Sequence, residues 1–396
     1  MKRRDFIKNT SLASSLFFVP SFVKAFDEAL SSRYGHRRLV IIHLAGGNDG
    51  LNTVVPYRND IYYKSRPSLA IAKDEVLKLT DEIGLHPSLS ALKNLYDKGY
   101  LSLVNNVGYP NPDRSHFRST DIWQTASASN QYLQSGWIGR YLDSQGKNPY
   151  DAIEVDDTLS LAMKGETVNG IATKDPKRLF RTAQSPFFKQ LIQHQEDTHL
   201  SEHNLGYLYN TLISAESSAA YIYQTSKVYS SSQSYPNTQF ANQLKTIAKF
   251  INSGLSTNVY FTSLDGFDTH ANQQNTQKRL LKQYADGIES FVYDLEQGNQ
   301  FDDTLILTFS EFGRRVKQNA ANGTDHGAAN NVFVVGKHLK KQGLYNNLAN
   351  LEDLDDNRDI KFEIDFRSLY STVLEKWLQV DAHEVLKSDF KTLDFI

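Results

Sequence analysis

The chain has 396 residues, of which 40% are hydrophobic, and it carries 43 Lys and Arg against 45 Asp and Glu. That hydrophobic content is enough for one large domain or two ordinary ones, and a net charge near zero argues against a nucleic-acid-binding protein. The sequence contains no cysteine, which excludes a disulfide framework, thiolate zinc sites and a cysteine nucleophile.

The first residues have the form of an export signal. The pair Arg3 and Arg4 is followed by a spacer, an aromatic, an aliphatic and a lysine, and then by an apolar segment, residues 11–23, that is too short to span a bilayer. A signal peptidase site is expected after Ala25. We therefore predict a twin-arginine signal peptide over residues 1–25, passage through the twin-arginine translocase, a periplasmic or extracellular location and no stable membrane anchor. The alternative is a cytosolic protein with a basic N-terminus.

After a short linker, the predicted mature chain has a buried strand over residues 39–45, with the sequence LVIIHLA. A glycine-rich turn follows, GGNDGLN, in which glycine permits a sharp bend and a close approach of the backbone to a ligand. Asp49 in this turn is interpreted either as a metal ligand or as an ordinary turn residue.

A helix over residues 87–98 and a strand over residues 100–105 come next. This β-α-β pattern predicts a parallel sheet. After a proline-containing loop, another helix is predicted to begin near Ser115 or His116. A serine at such a position is either a helix cap or a nucleophile aided by the helix dipole.

The middle of the chain, residues 150–257, contains predicted helices and strand-like alternation but no linker and no repeat. We predict that it is a partly helical elaboration of a single α/β domain that covers residues 26–396. One interpretation places its helices as a cap over the functional site.

A strand over residues 258–264 leads to Asp268 and His270. An Asp-x-His pair beyond a strand lets two ligands reach one ion from a single turn, and a carboxylate with an imidazole suits zinc, manganese or iron. The following helix, residues 277–297, has an apolar stripe at helical spacing, which predicts that it packs on the core.

Two apolar runs, residues 305–309 and 332–335, predict a pair of buried strands. Their connecting loop carries four charged or titratable residues, which are Glu311, Arg314, Asp325 and His326. Open parallel sheets bind ligands beyond the carboxyl ends of their strands, so these side chains are predicted to lie at the functional edge. Arg314 is predicted to bind an anionic oxygen in bidentate geometry.

Four blocks of sequence together resemble the DUF1501 family of exported bacterial proteins of unknown function. They are LAGGNDGLNTVVP, NPDRSHF, GFDTHANQ, and SEFGR with TDHG. The family is grouped with the alkaline phosphatase–sulfatase superfamily. The resemblance therefore implies an alkaline-phosphatase-like three-layer α/β/α fold with a central, mostly parallel sheet, a helical insertion and a two-metal hydrolytic centre.

The resemblance also implies roles for individual residues. Asp49 corresponds to the acid after the first strand that binds one metal, and Ser115 to the nucleophile, with His116 beside it among the expected catalytic residues. Asp268 and His270 correspond to ligands of the other metal.

Two alignments of the last block remain open. In the first, Glu311 supplies the carboxylate of an Asp–His pair, Phe312 replaces its histidine, and His326 is a later ligand. In the second, Asp325 and His326 themselves form the pair. The first is preferred because Glu311 follows a predicted strand directly.

These residues leave two functions open. One is an exported hydrolase that acts on a small anionic ester or polymer, a phosphate or sulfate ester, with two divalent metal ions (zinc, magnesium, manganese or calcium). The other is a non-catalytic secreted binding protein with a decayed site, which the departure at Phe312 favours. The two-metal hypothesis predicts that five side chains converge within about 8 Å of one point. The five are Asp49, Asp268, His270, Glu311 and His326.

Overall fold

Most apolar runs of the sequence form the strands of one large sheet, and three short strands, Val54–Val55, Leu77–Lys78 and Gly84–Leu85, form a second sheet. The computed structural model describes residues 36–193 and 203–396, so the predicted signal peptide lies outside the described residues. The strands are β1 (Arg38–Ala45), β2 (Val54–Val55), β3 (Leu77–Lys78), β4 (Gly84–Leu85), β5 (Leu101–Gly108), β6 (Ala152–Glu154), β7 (Ile171–Ala172), β8 (Val259–Asp265), β9 (Thr304–Phe309), β10 (Asn330–Val335), β11 (Gly343–Leu344) and β12 (Ile364–Asp365).

The predicted helices also form, with small shifts at their ends. The α-helices are α1 (Gly50–Thr53), α2 (Asp60–Ser65), α3 (Ser90–Asp97), α4 (His116–Thr125), α5 (Trp137–Ser144), α6 (Pro176–Ala183), α7 (Pro186–Gln193), α8 (His203–Thr225), α9 (Gln239–Asn252), α10 (Gln273–Gln297), α11 (Phe366–Thr372) and α12 (Ala382–Leu386). A π-helical turn, Val373–Leu378, continues α11. Within the described ranges, no helix is both long enough and apolar enough to cross a membrane.

The main sheet has β1 near its centre. Its strands lie in the order β11-β5-β10-β9-β1-β8-β6-β7, and β12 pairs with β5. β1 runs parallel to β8 and β9, whereas β10 runs antiparallel to both of its neighbours, β5 and β9. The two strands predicted to be partners, β9 and β10, are therefore neighbours. They are antiparallel because the loop between them contains no helical crossover, which parallel neighbours need.

Both faces of the sheet are covered by helices, which confirms the predicted three-layer α/β/α class. Alternate side chains of a strand point to opposite faces. Val40 and Ile42 of β1 therefore pack with apolar residues of α3, α9 and α10, while Leu39 and Ile41 pack with those of α4, α5 and α11.

The middle region extends the sheet. β6 and β7 add to the edge beyond β8, and α9 packs against α10 and β8. In the part of this region that the structure describes, the packing is thus with the sheet and α10, which differs from the interpretation as a cap over the site. The reason is that the buried apolar side chains of α9, such as Leu244 and Ile247, need the apolar face that the sheet offers.

A candidate metal centre at the carboxyl edge of the sheet

The fold brings distant segments to one edge. β1, β8 and β9 are parallel, so their carboxyl ends lie together, and the antiparallel β10 begins at that same edge. Asp268 and His270 follow β8, Glu311 follows β9, and His326 precedes β10. His116 comes to the same place as the first residue of α4, after β5.

Three imidazoles meet at one carboxylate oxygen. Asp268 Oδ1 lies 3.0 Å from His270 Nε2, 3.3 Å from His326 Nε2 and 3.3 Å from His116 Nε2. The Nε2 atoms of His270 and His326 are 2.9 Å apart. We call these four residues the His–Asp cluster. Three of its members, His116, Asp268 and His326, have ligand-type atoms that all lie within 4.8 Å of one another.

The second nitrogen of each imidazole faces an oxygen acceptor. The pairs are His116 Nδ1 with Glu311 Oε1 at 2.8 Å, His326 Nδ1 with the Arg114 carbonyl at 2.7 Å, and His270 Nδ1 with Asp325 Oδ1 at 3.3 Å. Because a neutral imidazole has one N–H, a proton on Nδ1 leaves a lone pair on Nε2. Three such lone pairs then point toward the same carboxylate oxygen.

This arrangement fits a divalent cation. His116 Nε2 is buried and has no hydrogen-bond partner, and two Nε2 lone pairs 2.9 Å apart repel each other unless a cation or proton lies between them. In a tetrahedral zinc site with nitrogen ligands at about 2.0–2.1 Å, neighbouring ligand atoms are about 3.3 Å apart. The cluster also has an open side, since the side chains of Asp268 and His270 are 48% and 46% exposed.

Glu311 lies behind the cluster as a support for His116. Its Oε1 accepts from the Gly46 N–H at 2.9 Å as well as facing His116, and its Oε2 faces His43 Nε2 at 3.0 Å and Ser310 Oγ at 3.2 Å. Burial raises the pKa of Glu311, but the hydrogen bonds from His116 and His43 hold it well below the usual range. Both oxygens of Glu311 already have hydrogen-bond partners, so Glu311 is placed to orient His116, as second carboxylates do for metal-binding histidines. Its role as a direct metal ligand stays a prediction.

His43 is the functional residue that the sequence reasoning missed. It lies in β1, and its ring stacks on Phe309 with 4.9 Å between the ring centroids. The available signal was a histidine inside an otherwise aliphatic buried strand, because a buried polar group needs a hydrogen-bond partner.

Asp49 has no described hydrogen bond or ion pair with the His–Asp cluster, and its role as a metal ligand stays a prediction. It is buried, with Oδ2 2.6 Å from Arg66 Nη1 and also hydrogen-bonded to Gln273 Nε2. Oδ1 has no hydrogen-bond partner in the described structure. The Arg66 guanidinium, itself fully buried, already supplies the positive charge that Asp49 needs.

Arg314 is reassigned. Its side chain has no exposed surface, so it cannot reach a substrate. It donates to Asp268 Oδ1 at 2.8 Å and to the carbonyls of Gly46, Gly47, Phe267 and Thr324. Burial raises the pKa of Asp268, but interactions led by the hydrogen bond from Arg314 lower it to about 2. Arg314 therefore holds the loops together and keeps Asp268 ionised.

Ser115 occupies the N-cap position of α4 but makes no capping hydrogen bond with its side chain. It is exposed, and its backbone N–H donates to Asp113 Oδ1 at 2.7 Å. Its hydroxyl is adjacent in the chain to His116 and takes part in none of the described hydrogen bonds.

Phe312 forms an apolar wall beside the cluster. Its ring centroid lies 4.8 Å from that of His116 and 4.7 Å from that of His326. Gly47 makes this position possible, because it has φ of +68° and a Cβ there would lie 2.3 Å from Phe312 Cε2.

Comparison with known proteins gives one family and several weak structural likenesses. The family model described as "Protein of unknown function (DUF1501)" matches residues 36–388, and no curated protein matches the chain.

Similar solved structures include the C-terminal periplasmic domain of EcEptC from Escherichia coli in complex with Zn, with 12% identity, coverage of 76% of this chain and 72% of that chain, and a TM-score of 0.36. The lipoteichoic acid synthase LtaP from Listeria monocytogenes has 9% identity, coverage of 89% and 76%, and a TM-score of 0.41. A protein in the alkaline phosphatase superfamily from Vibrio parahaemolyticus has 10% identity, coverage of 79% and 63%, and a TM-score of 0.37. All three TM-scores are below 0.5, so none of these likenesses says what this chain binds or does.

Proposed function

We propose that this chain, which belongs to the DUF1501 family of proteins of unknown function, is an exported, metal-dependent hydrolase of a phosphate or sulfate ester. The observation that carries the proposal is the convergence of three imidazole Nε2 atoms on Asp268 Oδ1 at 3.0–3.3 Å. The cluster is open to solvent on one side. Catalytic metal sites keep such an open position for substrate, whereas structural metal sites are closed.

One metal ion is proposed for the His–Asp cluster, instead of the two that the family resemblance implied. Three imidazole nitrogens and one carboxylate oxygen suit zinc or manganese better than magnesium or calcium, which prefer oxygen ligands. Asp49 and Glu311, the acids expected to complete a second site, are engaged by Arg66 and by His43 with His116.

A bound cation would supply a Lewis acid that polarises an ester oxygen and activates a hydroxyl nucleophile. The chain's own residues prepare the site for it. Glu311 fixes the orientation and proton position of His116, Arg314 keeps Asp268 ionised, and Phe312 covers one side of the imidazoles. The exposed hydroxyl of Ser115 is the candidate nucleophile because no other hydrogen bond occupies it.

A secreted binding protein is the second candidate. It is favoured by Phe312, which stands where the superfamily resemblance implies a histidine, and by the buried Asp49–Arg66 pair. Such a protein would keep the cluster and lack turnover.

Metal content and ester hydrolysis together separate these functions. The wild-type protein should contain about one zinc or manganese per chain by mass spectrometry, and should hydrolyse p-nitrophenyl phosphate or sulfate. His116→Ala and His326→Ala should each lose metal and turnover, whereas His338→Ala, which removes an exposed histidine paired with Asp302, should change neither. Bound metal without turnover of any ester favours the binding protein, and absence of metal after reconstitution contradicts the metal-dependent hydrolase.

Ser115→Ala tests the nucleophile. We expect turnover to be abolished while metal content stays unchanged, because the hydroxyl attacks and does not ligate. The melting temperature should hardly change, since the side chain makes no capping bond. Retained turnover in this variant would assign the nucleophile to another group.

A further inference from the structure

Asp359 is a buried carboxylate that forms ion pairs with two arginines. Its side chain is 0% exposed, Arg114 Nη2 donates to its Oδ2, and Arg315 Nε lies 3.7 Å from its Oδ1. The arginine side chains themselves are 29% and 42% exposed. One buried carboxylate thus tethers two guanidinium groups that both remain open to solvent.

The backbone places both arginines beside the His–Asp cluster. The Arg114 carbonyl faces His326 Nδ1 at 2.7 Å, and the Arg315 N–H donates to the Asp325 carbonyl at 3.0 Å. The backbone of each arginine therefore lies beside the candidate metal ligands or their neighbours, and each guanidinium is held nearby on Asp359.

Most donors of the two arginines are unused. Across the described residues, the guanidinium of Arg114 makes one hydrogen bond, to Asp359, and that of Arg315 makes none. The Nε atoms of both are buried without a hydrogen-bond partner, so a ligand in solvent would meet the Nη groups. Arg314 is the opposite case, because its guanidinium donates to four carbonyls and a carboxylate. A planar guanidinium with free N–H groups matches the paired oxygens of a phosphate or sulfate group.

Charge makes this binding depend on the metal. The surroundings of the cluster contain one carboxylate more than they contain guanidinium groups, counting Asp268, Glu311, Asp325 and Asp359 against Arg114, Arg314 and Arg315. A divalent cation reverses the sign of this balance, so an oxyanion is attracted to the loaded site and not to the empty one.

We infer that Arg114 and Arg315 form a clamp for the tetrahedral oxyanion of the substrate and that Asp359 positions them. The inference rests on the proposed function and deepens it, because it assigns substrate selection to this pair. The clamp takes the anion-binding role that the sequence predicts for Arg314, whose side chain is buried.

Titration calorimetry with inorganic phosphate and inorganic sulfate tests the clamp. For the metal-loaded wild type, we expect saturable binding that disappears when the metal is removed. Arg114→Gln and Arg315→Gln should each raise the Kd of the bound oxyanion about tenfold or more, with metal content unchanged. Arg58→Gln, which removes an exposed arginine outside this group, should leave the Kd as it is. Equal Kd values in all four proteins would overturn the inference.

Conservative variants separate the clamp from a loss of folding. Arg114→Lys and Arg315→Lys keep a charge for the buried Asp359 but lose the fork geometry, so we expect weaker oxyanion binding at an unchanged melting temperature. Asp359→Asn keeps both arginines and frees them, and should also weaken binding without loss of metal. If these three variants bind phosphate or sulfate as the wild type does, the clamp is refuted.

Ester kinetics then distinguish the clamp from the hydrolase proposal. With a charged ester, the glutamine variants should raise KM about tenfold or more with little change in kcat. Absence of turnover in every protein contradicts the hydrolase, while loss of oxyanion binding in the variants still supports the clamp. Turnover with an unchanged KM in the variants contradicts the clamp and leaves the hydrolase standing. The oxyanion bound more tightly by the wild type indicates the ester class.

Discussion

At the scale of single residues, Glu311 shows how a carboxylate at a strand end can support a site without touching its ligand. Both oxygens accept hydrogen bonds, and one of them fixes His116. We predict that Glu311→Gln weakens metal binding about 10–100-fold, the usual effect of losing such a partner. The reason is that an amide NH₂ would face groups that are themselves donors.

The metal affinity of Glu311→Gln is measured by chelator competition on the purified protein. Glu352→Gln, which changes an exposed acid in the same way, is the matched control. An affinity equal to the wild type would remove Glu311 from the support of His116.

For Asp49, we expect substitution to lower stability and to leave metal binding unchanged. It forms a buried pair with Arg66, and loss of one partner leaves a buried charge uncompensated. Asp49→Asn should therefore lower the free energy of unfolding by about 3–5 kcal/mol, as measured by urea denaturation, while metal content stays unchanged. Loss of metal at unchanged stability would restore Asp49 as a ligand.

At the scale of elements, the edge strand β6 carries a titratable group that is unrelated to the site. Glu154 is buried, and its Oε2 accepts from the Ser160 N–H at 2.7 Å. Burial raises its pKa from 4.5 to about 7. The folded protein thus favours the protonated carboxyl, so its contribution to stability is full below pH 4.5 and is lost as the pH rises through about 7.

Glu154→Gln should remove this pH dependence. Between pH 5 and pH 8 we expect the wild type to lose stability by up to about 3 kcal/mol from this group, and the variant to be nearly flat and more stable at pH 8. Urea denaturation at both pH values measures the effect. Glu166→Gln changes an exposed acid nearby in the sequence and should keep the wild-type dependence of unfolding free energy on pH. An equally steep dependence in Glu154→Gln would contradict the assignment to Glu154.

The pair β9 and β10 shows how a connection sets a strand's direction. Residues 310–329 return the chain to the neighbouring position without a helix, and β10 is therefore antiparallel to β9. This reversal has a functional consequence. It places the residues before β10, including His326, at the same edge as those after β8 and β9.

At the scale of the whole molecule, export is the remaining prediction. Arg3→Lys combined with Arg4→Lys should leave the protein in the cytoplasm, because the export receptor reads the paired guanidinium groups. Cell fractionation and immunoblotting measure the location. Lys8→Arg, which keeps the charge and the pair, is the control that should still be exported. Normal periplasmic recovery of the double variant would contradict twin-arginine export.

The sequence by itself determined the buried strands and the main helices, because apolar periodicity is a local property that each segment carries within itself. The three-layer class followed from the resemblance of four sequence blocks to the DUF1501 family. The sequence also placed Asp268, His270 and His326 at strand ends, and parallel strands bring such ends to one edge. Only the tertiary structure decided which charge meets which. Arg66 forms an ion pair with Asp49, and Arg314 donates its hydrogen bonds to carbonyls of several loops. His43 is hydrogen-bonded to Glu311, which lies 268 residues away in the sequence. Such partners are determined by packing between segments that are far apart in the chain. A hydrogen bond or close ion pair forms only when its two atoms lie within a few ångströms of each other. No local pattern records those partners.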